Sequence, residues 1–505
     1  MKVQNGIGKA VALALFSLSV AGCGNAGPLS SDPKTIDAEA LGGKADAQVR
    51  AFYAARNNER AWDRKAEKQL IEIVDGAPIH GLRRDLLLKD DLPKDGEERE
   101  LALTRMALRY ASALAQGYSN PKKIDGIYTV PGPKVDVAAG LSKALKDGNL
   151  ADWFGTLAPQ TEEYRALSDE FVRYLKLANE AGNGAAVATG KAIKPGQRDA
   201  RLPSIANALA AVGYLKAQQA PPQRYTPAMV AAVKRMQADY GQKPDGVIGP
   251  GTVKSLNEGP GDRARQLAVN LERLRWLDRN PPQTRIDVNT GAAYLDYWRN
   301  GTLRDHRNVV VGQPDWETPQ LGSPIFQLVA HPYWRVPDSI LDDELKDKSP
   351  AYLAANNMEY RDGRLVQLPG PKNSLGEVKF DMRNDQAIYL HDTPAKALFT
   401  MPERHRSHGC IRVQDATGFA MLLASDDGVL PKFQEAMMKP DDEGFVKLKT
   451  EVPVRLLYHT AFVEDGRVKL VNDTYGWDDD VAYALGYVRK RPRAKQGHAG
   501  GDVGP

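Results

Sequence analysis

The sequence predicts an α+β multidomain protein: a helical scaffold, a small three-helix unit, and a mainly β domain carrying a long insertion. Three observations lead there. Apolar residues recur at helical spacing in the first part of the chain, a capped and turn-punctuated unit spans residues 201–257, and short β-branched or aromatic runs dominate after about residue 284. With 505 residues, 42% hydrophobic and 26% charged, the chain has the composition of about three ordinary folded domains. The net charge of +4 is small for this length, and much of it sits in the closing "RKRPRAKQGHAGGDVGP", which reads as a solvated tail and gives no support to a nucleic-acid partner.

The elements follow in order. Lys2, Lys9 and the apolar "AVALALFSLSVAG" before Cys23 have the form of a signal-peptide core, shorter than the roughly 20 apolar residues a membrane span needs. The expected division is a signal peptide at 1–22, a small polar tether at 23–44, the helical scaffold at 45–195, the three-helix unit at 196–258 and a connecting helix at 259–283. The β domain is expected at 284–465 with its lid at about 330–380, and a C-terminal extension ending in a flexible basic tail at 466–505.

In "LALTRMALRYASALAQGY", Leu103, Met106, Ala107, Tyr110 and Leu114 fall on one helical face. His80 in "APIHGL" is read as a packed or capping histidine, and "NEAGNGAAVATGKAIKPGQRDA" as a Gly/Ala-rich linker. Thr226 before Pro227 is a helix start, Met229, Val233, Met236 and Tyr240 repeat at helical spacing, and Pro244-Asp245-Gly246 is a turn. Leu267, Leu271 and Leu274 give the connecting helix one apolar face. Six strand-like runs follow: "TRIDV", "AAYLDYW", "NVVVG", "IFQLV", "QAIYL" and "VPVRLLY". The polar insertion around "PDSILDDELKDKSPAYLAANNMEY" is read as a lid over the site, since structureless loops of that length are uncommon in compact domains.

One of only two cysteines, Cys410, stands in "HRSHGCIRV". A metal ligand set could be written from His391, His405, His408 and Cys410, but the His-x-x-His-x-Cys spacing is not a standard closed zinc site and no second cysteine cluster exists. A packed cysteine does not usually sit in a polar Ser-His-Gly turn. The third reading is a nucleophile with a base. His391 lies just past a predicted strand and 19 residues before Cys410, and imidazole can take the thiol proton, holding a thiolate below the free pKa of about 8.5. Gly409 permits a tight turn that aims backbone N–H groups at one point. Asp392 can orient the base through its carboxylate or its backbone carbonyl. His306, His331, His405 and His459 are read as ordinary surface or satisfied histidines.

These stretches resemble known families. "SVAGC" is similar to a bacterial lipoprotein signal, which implies that Cys23 is acylated as a membrane anchor and, with Gly24 next, that the protein is periplasmic and held at the outer membrane. "FYAARNNERAWD" with "APIHGL" resembles the scaffold of large periplasmic L,D-transpeptidases. "AVKRMQ" with "DGVIGPGT" resembles the common peptidoglycan-binding domain, Met236 replacing its usual aromatic residue. "HDTP" followed by "SHGCIRV" resembles the signature of the YkuD family of L,D-transpeptidases.

The last resemblance implies Cys410 as nucleophile, His391 as base, and the backbone at Gly409 and Cys410 as oxyanion hole. His408 is implied to polarise the pocket, with Ser407 and Arg412 holding the loop. The implied reaction is 3→3 cross-linking of peptidoglycan tetrapeptide stems through a thioester, with no metal or organic cofactor and with carbapenems as covalent inhibitors. Water as acceptor (an L,D-carboxypeptidase), attachment or release of a lipoprotein on the wall, and a non-enzymatic wall anchor stay open beside it.

Overall fold

The computed structural model describes residues 35–36, 47–88, 92–124, 126–180, 186–217 and 219–487; the signal peptide, Cys23, nearly all of the tether and the basic tail expected from the sequence lie outside them. The α+β organisation is as expected, a helical N-terminal region followed by a β-barrel. Among the described residues no helix is long and apolar enough to cross a membrane.

In the scaffold, the helix Gly96–Gln116 buries Leu103, Met106, Ala107, Tyr110 and Leu114. Helices Ala47–Ala54, Val137–Asp147 and Leu150–Leu157 pack around it, so Leu101, Leu108 and Ala111 are buried too. Each such large apolar side chain contributes about 2 kcal/mol of transfer free energy.

The small unit is built on its caps and on one glutamine. The Thr226 hydroxyl accepts from Met229 N–H, and Gln237 at the end of "AVKRMQ" donates to the Val247 carbonyl while accepting from Gly246 N–H (2.9 and 2.8 Å). The motif therefore ties its helix to the Asp245-Gly246 turn. The stretch expected as a linker is different: Ile193 pairs with Ile248, Arg198 with Arg224, and Val187 and Ile193 are buried. Two apolar residues isolated in Gly/Ala text carry no periodicity, yet they complete this unit's core.

The expected connecting helix is a buried spine. Within the helix Pro260–Trp276, residues 263–276 are buried on every side, and three of its arginines are paired with carboxylates, while Arg263 donates to the Tyr174 hydroxyl and backbone carbonyls. Arg273 pairs with Asp478 (2.5 Å), Arg265 with Asp479 (2.6 Å) and Arg275 with Glu272 (2.7 Å). Asp478 and Asp479 begin the helix Asp478–Ala484, so residues 466–487 are part of the body and not an extension.

The barrel strands are β1 (Arg285–Asn289), β2 (Tyr294–Arg299), β3 (Thr302–Gly312) and β4 (Gly322–Ala330). Within the insertion lie β5 (Trp334–Arg335), β6 (Met358–Arg361) and β7 (Arg364–Gln367); then come β8 (Val378–Met382), β9 (Leu390–His391), β10 (His405–Ser407), β11 (Ile411–Val413) and β12 (Gly444–Leu457). A separate hairpin of β13 (Ala461–Glu464) and β14 (Arg467–Leu470) straddles the boundary expected at 465/466.

The sheet order is β10-β3-β11-β9-β8-β4-β12-β1-β2, and β2 also pairs with β3, which closes the ring and removes its edges. Two helices that the strand pattern did not suggest, Ala416–Asp427 and Leu430–Met437, send Phe419, Leu423 and Phe433 into the barrel core. In the first of them Ala416, Phe419, Ala420, Leu423 and Ala424 form a buried stripe, which the text "ATGFAMLLASDDGVLPKFQEAM" hides because Met421 and Leu422 beside it are also apolar.

The lid occupies residues 331–377. Val378 and Phe380, expected at its end, point into the barrel from β8, which pairs with β4. Its text is polar, yet Trp334, Val336, Ile340, Leu345, Met358, Leu365 and Leu375 form a core of their own over the three-stranded sheet β5-β7-β6.

Candidate active site

β9 and β11 are parallel neighbours, with Leu390 opposite Ile411 and His391 opposite Arg412. The Ile411 N–H donates to the Tyr389 carbonyl (3.1 Å), so Cys410 stands beside Tyr389 and on the sheet face that Tyr389 shares with His391. Closure of the barrel thus brings the two halves of the motif together.

His391 is fully buried, and its Nδ1 donates to the backbone carbonyl of Asp392 (2.5 Å). A carbonyl only accepts, so Nδ1 carries the proton and Nε2 is the basic nitrogen. The Asp392 carboxylate serves elsewhere, binding Lys396 and accepting from Glu377 N–H (3.1 Å). A Cβ at Gly376 would lie 2.3 Å from that carboxylate, and φ there is +62°, so glycine both turns the lid's exit and leaves room for Asp392.

The thiol's neighbours include groups the sequence reading missed. The Tyr389 N–H and hydroxyl both hydrogen-bond Cys410, and Tyr389 packs against the lid's core. A signal for it exists: Tyr389 is two residues before His391 on a strand and so shares its face. The Cys410 S–H faces the Ala387 carbonyl at 3.8 Å.

Burial pushes the Cys410 thiol up to about 11, outweighing the Tyr389 donors, Lys379 and Arg412, which all pull it down. This corrects the expected ready-made thiolate: with the lid closed the resting group is a neutral thiol, and its proton must leave during attack. Iodoacetamide is therefore expected to alkylate Cys410 slowly at neutral pH and about tenfold faster per pH unit up to pH ~10. A rate that stays level from pH 7 to 9 would reveal a standing thiolate instead.

The turn before Cys410 is held from three sides. Gly409 has φ +109°. The Ser407 hydroxyl donates to the Cys410 carbonyl (2.6 Å) and accepts from Gly409 N–H (3.2 Å). The Gly409 N–H expected in the oxyanion hole is thus engaged in the turn itself. Thr318 donates to the Gly409 carbonyl (2.8 Å) and accepts from Gly312 N–H, while the Tyr475 hydroxyl donates to the Gly312 carbonyl (2.6 Å). The C-terminal body therefore braces the catalytic turn. Arg412 is buried in the sheet beside His391.

His408 meets Glu344 of the lid (Nε2 to Oε1, 2.7 Å) and the edge of Trp316 (ring centroids 4.9 Å apart). Four other described histidines are partnered away from the thiol: His405 with Glu403 and the Thr290 carbonyl, His306 with Asp296, His331 with the Met437 carbonyl, and His80 with Tyr164. Burial and two nearby arginines, Arg273 and Arg455, push His459 down to about 3, so it is neutral. Among the described residues no three His, Cys, Asp or Glu side chains form a metal-holding group.

The L,D-transpeptidase catalytic domain model, YkuD, matches residues 283–430, which contain every one of these site residues apart from Tyr475. Those residues belong to the YkuD family. The Scaffold domain model matches 47–171 and the "Putative peptidoglycan binding domain" model matches 198–256. A Haemophilus influenzae protein named "Putative L,D-transpeptidase" is 29% identical over 244 residues, 44% of this chain and 49% of that one. The aligned part is thus about half the length of that relative.

Among solved structures, the chain is similar to the Ldtfm–avibactam carbamoyl enzyme (12% identity, TM-score 0.19, 35% of this chain and 49% of that one). It is also similar to an L,D-transpeptidase of Stackebrandtia nassauensis (12% identity, TM-score 0.20, 56% and 100%). In the YkuD domain described here, β9 supplies the imidazole, the β10–β11 turn supplies the thiol, and the β4–β8 insertion meets the site at Tyr389 and His408.

Proposed function

We propose that this protein is a cysteine-dependent L,D-transpeptidase that joins peptidoglycan stem peptides by 3→3 cross-links. The observation that supports it most is the β9–β11 pairing, which sets a buried thiol on the same face as an imidazole whose Nδ1 is committed to a carbonyl. Cys410 Sγ attacks the carbonyl between the third residue and terminal D-Ala of a donor tetrapeptide while His391 Nε2 takes the thiol proton. The Cys410 N–H stabilises the oxyanion, the imidazolium protonates the departing D-Ala amine, and a thioester remains. An amine of a second stem then attacks the thioester, and the thiol is restored.

Burial raises the thiol's pKa, yet the same exclusion of water strengthens each hydrogen bond that forms as charge develops. Incubation with tetrapeptide muropeptides followed by mass spectrometry tests this reading: D-Ala release with tetrapeptide–tripeptide dimers is expected. Tripeptides alone would make the enzyme a carboxypeptidase, and no release would refute the thiol chemistry.

The lipid anchor belongs to the same reading, supported by "SVAGC" and the polar stretch after it. Cys23→Ala is expected to move the protein from the membrane to the soluble periplasmic fraction. An unmodified, soluble wild type would overturn it.

A further inference from the structure

The lid carries an acid to the catalytic turn. Glu344, in the one-turn segment Leu341–Leu345, reaches His408, two residues before the nucleophile. One of its oxygens, Oε1, is held at 2.7 Å by His408 Nε2. The other, Oε2, is buried with no hydrogen-bond partner among the described residues. A buried carboxylate oxygen without a donor is costly, and such groups concentrate where a ligand supplies the donor.

Four other acids around the site are committed. Asp392 holds Lys396 and the Glu377 N–H, Glu403 holds His405, Asp381 holds Lys379, and Glu317 accepts from Asp315 N–H. The charges are also divided across the thiol. Lys379 and Arg412 act on Cys410 from the barrel side, whereas Glu344 brings a carboxylate from the lid side. The Glu344 side chain as a whole is 23% exposed.

We propose that Glu344 is the acceptor-recognising residue: its carboxylate seats the ammonium group of the incoming stem and takes its first proton. The proposal rests on the cross-linking reading and names what selects an amine over water in the second step. The acceptor enters as R–NH3⁺, and Glu344 becomes the neutral acid as R–NH2 forms. The amine lone pair makes the C–N bond to the thioester carbonyl carbon. As the C–S bond breaks, its electron pair returns to Cys410 Sγ, and the second N–H proton reaches that sulfur through His391. The products are the amide, a neutral thiol and protonated Glu344, which loses its proton to solvent.

The test is competition for one thioester. Full-length wild type, Glu344→Gln and Glu344→Asp are acylated with the same tetrapeptide donor, and the ratio of aminolysis to hydrolysis is measured by mass spectrometry. Because both products leave a common thioester, the ratio does not depend on how fast the thioester forms. Two acceptors are compared: meso-diaminopimelate, whose amines are cationic, and hydroxylamine, which is uncharged at neutral pH.

For Glu344→Gln the ratio is expected to fall at least about tenfold with meso-diaminopimelate and to stay within about twofold with hydroxylamine; one lost charged hydrogen bond is worth that much. Glu344→Asp is expected to recover part of the loss. If both ratios fall together, or neither moves, Glu344 only props the lid and the proposal is wrong. If wild type forms no thioester, the cross-linking reading fails and takes the proposal with it.

Discussion

Cys410→Ala is expected to abolish 3→3 dimers, and His391→Ala to lower their formation by about 10²–10⁴-fold, the usual worth of a positioned general base. The two losses differ in kind. Without Sγ no thioester exists, so the remaining rate is that of the uncatalysed reaction. Without the imidazole a thiol remains, but burial holds its pKa near 11 and few molecules ionise at neutral pH.

The losses should be strongly non-additive, because each residue acts only through the other. Stability should move little: Cys410→Ala removes one sulfur from a turn that Ser407 and Thr318 hold, at a cost of about 1 kcal/mol. A carbapenem should add once to wild type, with the adduct mapping to Cys410, and not at all to Cys410→Ala. Normal cross-linking by Cys410→Ala would end the thiol mechanism.

The largest effect on stability is expected far from the thiol. Asp478→Ala leaves Arg273 buried without its carboxylate, and breaking a buried pair in this way costs about 3–5 kcal/mol. The same carboxylate accepts from the Thr460 hydroxyl (2.7 Å), so the change also strips the junction between β12 and the spine helix. Asp478→Asn, which keeps the shape and an acceptor, should cost less. Chemical denaturation measures both variants. Since Tyr475 braces Gly312 and thereby the catalytic turn, Asp478→Ala should also lose activity at temperatures where the barrel itself is still folded. A variant as stable as wild type would mean that the spine does not depend on this pair.

Much of this was legible in short stretches of text. Thr226-Pro227 marks its helix because a hydroxyl cap and a proline act within one turn, and the face of Leu103, Met106, Ala107 and Tyr110 needs only 3.6-residue spacing. "SHGC" and "HD" single out a thiol and an imidazole that the β9–β11 pairing sets on one sheet face. Reading failed where a segment's role depended on distant partners. The spine helix looked one-faced because only Leu267, Leu271 and Leu274 form an apolar stripe, and the lid looked polar because its few apolar residues are too far apart in the chain to form one.

The sequence by itself determined the α+β order, the local caps and turns, and the identity of the thiol and imidazole, since each is encoded by residues a few positions apart. Only the tertiary structure decided that Asp392 orients His391 through its carbonyl, that Tyr389 lies on the thiol and that Glu344 reaches His408. The same holds for Asp478, which neutralises an arginine 205 residues away, and for the thiol's high pKa. The physical reason is that burial and pairing energies depend on which segments barrel closure brings together, and no local spacing encodes that.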